Sequence, residues 1–164
     1  MSREVLVRLL DEIGAEAGLD LKLDENDCCT FSASGSGAAF LRYDEPTEHV
    51  LFVAPVASLP DDEEEQRRLL AYYLSMNYGG TEADGGYFAL DEDSGFVLLQ
   101  VPVDIRNITA ADFTGAVAGF AQQAGYWKRR FIDLLESHAE EADDPFEEQS
   151  ADDMPDLPDP SLLA

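Results

Sequence analysis

The stretch Ala39–Ala54, AFLRYDEPTEHVLFVA, decides the fold. Two apolar runs, Ala39–Tyr43 and His49–Ala54, flank Asp44-Glu45-Pro46-Thr47, a turn in which proline sets φ and the acidic residues favour tight backbone geometry. Two strands joined so closely must run antiparallel. Towards the N-terminus, Ser34-Gly35-Ser36-Gly37 reads as a flexible loop, and Cys28–Ala33 as a further strand with Cys29, Phe31 and Ala33 on one face. Leu19, Leu21 and Leu23 alternate ahead of the turn Asp24-Glu25-Asn26-Asp27, which predicts a hairpin with Cys28–Ala33. Before them, Val5, Leu6, Leu9, Leu10, Ile13 and Ala17 recur at helical spacing, from an N-cap at Ser2 to Gly18.

Towards the C-terminus, Pro60 and the acids Asp61 to Glu65 suit the positive end of a helix dipole. Leu69, Leu70, Tyr73, Leu74 and Met76 give that second helix an apolar side, and it ends near Asn77, before Gly79-Gly80. Tyr87–Leu90 and Phe96–Val103 flank Asp91-Glu92-Asp93-Ser94-Gly95 and form another hairpin. A third helix starts at the cap Thr109, with Asp112 three residues on and Ile108 stapling to Phe113. Phe113, Val117, Phe120, Ala124, Trp127, Phe131 and Leu134 make its stripe. The expected class is α+β: an antiparallel twisted sheet with three helices, in the order α-β-β-β-α-β-β-α.

A chain of 164 residues, 45% hydrophobic, can close a single core. We place that domain at residues 1–137. From Glu136 onward there is no Lys or Arg, and Pro145, Pro155, Pro158 and Pro160 interrupt a run of acids, so residues 138–164 are expected to be an acidic, proline-bearing disordered tail. No apolar run approaches the roughly 20 residues of a membrane-spanning helix. The opening Met-Ser-Arg-Glu enters an amphipathic pattern at once without a secretory signal, and the expected location is the bacterial cytoplasm. The net charge of −25, from 35 acidic against 10 basic residues, repels phosphate backbones and anionic lipid, so neither nucleic acid nor membrane is an expected partner.

Catalytic chemistry finds little support. Cys28 and Cys29 are the only thiols and His49 and His138 the only imidazoles, with His138 entering the acidic tail. Adjacent strand residues point to opposite faces, so a disulfide between the two cysteines would be strained and both are expected reduced. Asp91, Asp93 and Gly95 echo part of a calcium loop, but the glycine comes one place early and the bidentate glutamate is missing. Gly35 and Gly37 lack the Gly-Lys-Ser/Thr of a phosphate loop. Gly115 and Gly119 are expected to let the last helix sit near the sheet. Lys128-Arg129-Arg130 spreads around that helix and is too small for a nucleic-acid patch. No catalytic residue, metal or cofactor is expected.

The ordered pieces resemble the class I type III secretion chaperones, the Tir-chaperone (CesT-like) family. The resemblance rests on Leu9-Leu10-Asp11-Glu12-Ile13-Gly14 closing into Gly18-Leu19, on Leu23-Asp24-Glu25-Asn26 before the cysteine strand, and on Phe52-Val53-Ala54-Pro55-Val56 with Leu59-Pro60. It continues through Leu70 to Asn77, Gly85-Gly86-Tyr87-Phe88-Ala89-Leu90-Asp91, Leu99-Gln100 and Phe120 to Trp127. Departures are Asp27, where the family often has glycine, a longer loop at Ser34–Ala38, and the acidic tail. The resemblance implies a homodimer that keeps the N-terminal chaperone-binding segment of an effector extended and ready for export, with the secretion system's export ATPase as a further partner. By the same analogy, Leu6, Leu10, Leu21, Phe31, Leu41 and Tyr43 would bind the client, and Leu70, Tyr73, Leu74, Phe88 and Leu98 would form the dimer interface. For each residue singly, ordinary core is the competing account.

Rival readings are a YbjN-like regulatory or other non-secretion protein-binding module of the same fold, an acidic nucleic-acid mimic, and an enzyme. A mimic would carry its acids ordered on one face, whereas many lie in the tail. An enzyme would lose a measurable activity on replacement of Cys28, Cys29 or His49.

Overall fold

A computed structural model of the chain describes residues 2–33, 37–78 and 85–142. Its elements follow the expected order: α1 (Ser2–Ala17), β1 (Cys28–Ala33), β2 (Gly37–Asp44), β3 (His49–Ser58), α2 (Glu63–Met76), β4 (Tyr87–Asp91), β5 (Phe96–Asp104) and α3 (Ala110–Ala142). The strands form one antiparallel sheet in the order β1-β2-β3-β5-β4, so β1 and β4 are its edges. Residues up to Ile132 make one compact unit; Asp133–Ala164 make a second, of which the described part is the end of α3. Residues 34–36 of the expected loop and 143–164 of the expected tail lie outside the described residues.

The deciding stretch folds as read: Phe40 pairs with Val53, Leu41 with Phe52, Tyr43 with Val50, and Asp44 with His49 at the turn. Period two then sorts side chains. Leu41, Tyr43, Val50, Phe52, Ala54 and Leu99 share one face and are all buried, whereas Arg42, His49, Leu51, Leu98, Gln100 and Pro102 lie on the other and are at most half-buried. The helices cover the first face. Phe52 meets Phe113 and Phe120 of α3 at ring-centroid distances of 5.7 and 5.3 Å, and Phe88 meets Tyr73 of α2 at 4.5 Å and Trp127 of α3 at 4.8 Å. Leu6, Leu9 and Leu10 bring α1 into the same core.

Of the two caps the sequence predicts, Thr109 caps α3, whereas Ser2 lies within α1; α2, expected to carry acids at its positive end, is capped by one of them. Asp62 accepts from the backbone N–H of Glu64 and Glu65, both at 3.0 Å. Thr109 accepts from the N–H of Asp112 at 3.1 Å and donates its hydroxyl to the Asp112 carboxylate at 2.6 Å. Each such cap stabilises its helix by about 1 kcal/mol.

Three expectations change. Residues 19–24 form no strand, and β1 pairs with β2 instead. The cause lies at Gly14: the Leu19 N–H donates to the Gly14 carbonyl at 2.8 Å, and a Cβ on Gly14 would sit 2.6 Å from the Leu19 carbonyl oxygen. Glycine thus lets the chain fold back against the end of α1, and the alternating leucines lie against that end rather than in a ladder. Second, β3 runs past Ala54 to Ser58, and the register shifts between Pro55 and Ala57, an irregularity that tolerates a residue without an N–H. Third, a Cβ at Gly115 or Gly119 would meet nothing within 4 Å, so neither glycine mediates a close helix–sheet approach. The Asp91–Gly95 turn is a hairpin turn as expected, with Gly95 at φ 68° and its N–H on the Asp91 carbonyl at 2.9 Å.

Candidate polypeptide-binding site

The two sheet edges are not equivalent. On β1, the Cys28 N–H donates to the Asp24 carboxylate at 2.9 Å, and the Cys28 carbonyl accepts from the Asp24 N–H at 2.8 Å. Both groups of Cys28 therefore point away from β2. In an antiparallel ladder the backbone groups alternate in direction, so Thr30 and Ser32 also point outward, while Cys29, Phe31 and Ala33 bond to β2. The Tyr43 N–H donating to the Asp27 carbonyl at 3.0 Å fits this alternation. Asp24 closes the first outward position, and beyond it, among the described residues, the edge is open at Thr30 and Ser32.

The opposite edge carries a different device. Asn77, at the C-cap of α2, donates its amide to the Phe88 carbonyl at 3.0 Å and accepts from the Phe88 N–H at 2.7 Å. Phe88 is thereby occupied on the outer side of β4, and of this five-residue strand only Leu90 presents further outward groups.

Phe31 is half-buried and stands edge-on to Phe52 at 6.5 Å. Leu21 and Leu23 are half-buried, and Leu19 is 57% exposed. Asp27 has a left-handed backbone, φ 56°, a conformation that glycine adopts without steric cost. Its carboxylate meets Arg3 at 2.7 Å. Of the six residues expected to bind a client, Phe31 lies on the edge strand β1, Leu21 is half-buried near Gly14, and Leu6, Leu10, Leu41 and Tyr43 are buried in the core.

Four of the five residues expected at a dimer interface come together. Leu70, Tyr73, Leu74 and Phe88 line a cavity of about 230 Å³ with Asn77, Ala89, Leu90 and Val97, and no charged side chain borders it. Leu74 is 69% exposed and Tyr78, one turn on, 88%. Leu98 pairs with Ala89 and Pro55 on the opposite sheet face and is not part of this cavity. The Tyr73 hydroxyl is buried without a partner among the described residues, and burial raises its pKa. A larger hollow of about 570 Å³ lies between α3 and β5, lined by Phe52, Val101, Val103, Gly119, Tyr126 and Trp127 among others.

Nothing here assembles a catalytic group. Cys29 is buried, Cys28 half-buried, and both are free thiols. Burial first, and then the Asp24 carboxylate, raises the pKa of Cys28; burial also raises that of Cys29, opposed by a hydrogen bond from the Lys22 backbone. Both sulfurs are thus held in the poorly nucleophilic thiol form. His49 bonds the Thr47 carbonyl through Nδ1 at 2.6 Å and pairs across strands with Asp44 and Asp104, while Cys28 pairs with Arg42. Among the described residues no cluster of His, Cys, Asp or Glu could hold a metal ion, and no helix is long and apolar enough to cross a membrane.

The residues that sequence reading missed as site residues are Asp24 and Asn77. Each is a short side chain at the end of an element, next to a strand, the pattern from which a carboxylate or amide can reach neighbouring backbone.

Comparison with known proteins agrees with this fold. The family model for the Tir chaperone protein (CesT) family matches residues 8–128. No curated protein sequence matches the chain. Among solved structures, the HopA1–SchA chaperone–effector complex contains a chain with 22% identity and TM-score 0.60, the match covering 79% of this chain and 97% of that one. The ExsC–ExsE complex gives 23% identity and TM-score 0.64, covering 76% and 91%. The heterodimeric ExoU–SpcU complex from the type III secretion system of Pseudomonas aeruginosa gives 15% and 0.55, covering 78% and 95%.

Proposed function

We infer that this chain, which belongs to the Tir chaperone protein (CesT) family, is a type III secretion chaperone that holds an extended segment of an effector at the free edge of its sheet. The observation that carries the reading is the stretch of β1 where the N–H and C=O of Thr30 and Ser32 face outward beside the half-buried Phe31. A client strand added there gains backbone hydrogen bonds, each worth about 0.5–1.5 kcal/mol net, and sets alternate side chains on the side of Phe31. In this reading Leu6, Leu10, Leu41 and Tyr43 build the floor under the site, and Leu21 and Phe31 touch the client. The charge of −25 speeds encounter with a basic segment. No bond is made or broken, so the mode of action requires neither cofactor nor ATP.

A second copy is proposed to cover the α2–β4 cavity through Leu70, Tyr73, Leu74 and Phe88. Support comes from the exposed Leu74 and Tyr78 and from the uncharged lining, where two equally acidic chains can meet without repulsion. Leu98 enters that contact only where the partner reaches around β4.

The test is purification with an effector's N-terminal segment, followed by amide hydrogen exchange. The Thr30 and Ser32 amides are expected to slow at least about tenfold on binding. A bound client that leaves both amides unchanged overturns the edge reading. Failure of every effector segment from the same genome to bind overturns the chaperone reading.

A further inference from the structure

A sheet with two free edges can add copies of itself head to tail without limit, because the outer groups of the last strand of one molecule match those of the first strand of the next. This chain carries one long free edge at β1. The other edge is stopped at one place: the Asn77 amide presents one donor and one acceptor to Phe88, at 3.0 and 2.7 Å, in the pattern a residue of a neighbouring strand would present. Capping α2 does not require this contact, since the backbone N–H of Asn77 serves the helix end by bonding to the carbonyls of Tyr73 and Ser75. We propose that Asn77 is a specificity-determining residue that imitates a paired strand, closes the β4 edge and so confines strand addition to β1, one added strand per subunit.

The inference rests on the strand-addition reading above, but its tests use the chain without a client, so the two fail separately. Because Leu90 also lines the cavity proposed to receive a second copy, the comparison uses the Leu74→Asp protein, in which the Phe88 amide is expected to exchange at least about tenfold more slowly than the Leu90 amide, the other outward group on β4. Asn77→Ala should remove that difference. It should also give species larger than the wild type in sedimentation velocity, growing with concentration. Adding Ser32→Pro, which deletes an outward donor on β1 without touching the ladder, should return the double variant to wild-type size. Asn77→Asp keeps the acceptor for the Phe88 N–H, loses the donor to its carbonyl, and should retain protection of that amide. Leu74 is 69% exposed, so its substitution leaves the subunit's packing in place, and equal exchange at Phe88 and Leu90 in the Leu74→Asp protein overturns the proposal. So does an Asn77→Ala protein that folds and sediments as the wild type at every concentration, or one whose larger species ignore Ser32→Pro.

Discussion

Phe31 and Ser32 are chain neighbours, yet replacing each by proline should have opposite consequences. The direction of the Cys28 groups towards Asp24 makes Ser32 an outward residue and Phe31 an inward one, paired with Ala39. Proline at Ser32 deletes a donor that no ladder bond uses, so stability should stay within about 0.5 kcal/mol of wild type. Proline at Phe31 deletes a ladder donor and orphans a carbonyl on β2, which costs about 1–3 kcal/mol beyond the loss of the ring. Phe31→Ala measures the ring alone. Chemical denaturation of the three variants isolates the backbone contribution, provided the m-values agree. Client affinity should move the other way: Ser32→Pro removes one intermolecular hydrogen bond and should weaken binding about 2–13-fold. If Ser32→Pro costs as much stability as Phe31→Pro, the assigned direction of the edge groups is wrong, and with it the docking argument.

Other outcomes follow from single features. Glu48 sits at φ 55° in the β2–β3 turn, so Glu48→Gly should raise stability by about 0.5–1 kcal/mol in thermal or urea unfolding. Tyr73→Phe removes a buried hydroxyl that has no partner among the described residues and should leave stability unchanged or slightly higher, whereas Phe88→Ala, which empties the space between Tyr73 and Trp127, should cost about 3–5 kcal/mol. Leu74→Asp alters a residue 69% exposed; it should leave unfolding of the subunit within about 0.5 kcal/mol while light scattering reports loss of the proposed dimer. Hydrogen bonds from Arg106 hold the Asp104 pKa well below the usual carboxylate range. That stabilising effect is present above the unfolded carboxylate pKa of about 4 and fades as pH falls through the lower folded value, so Asp104→Asn should flatten the acid limb of a stability–pH profile.

Much of the molecule was legible in the residues. The run from Ala39 to Ala54 announced an antiparallel pair because apolar periodicity and turn chemistry agree there, and the stripe from Phe113 to Phe131 announced a helix by the same logic of local period. The site was read less evenly. Leu70, Tyr73, Leu74 and Phe88 do converge on one cavity, but Leu98 falls on the other sheet face. Leu6, Leu10, Leu41 and Tyr43 are buried in the core. An apolar residue at the right period looks the same in a sequence whether a neighbour covers it or not, since coverage depends on elements far along the chain. The leucines at 19, 21 and 23 show the limit in small: their alternation suits a strand, yet the close return of Leu19 onto Gly14 removes them from the sheet.

By itself the sequence determined the order of elements, the capped start of α3, the turns, the acidic character and the absence of a nucleophile–base pair near in sequence, because each depends on a few adjacent residues or on a sum over all of them. Only the tertiary structure decided the strand order β1-β2-β3-β5-β4, and with it which edges are free and which backbone groups face outward. Those depend on pairings between distant segments. Asp24 reaches Cys28 across a turn, and Asn77 reaches Phe88 across 11 residues. No local period records that one of these side chains occupies the first outward position of β1 while the other occupies Phe88 on β4.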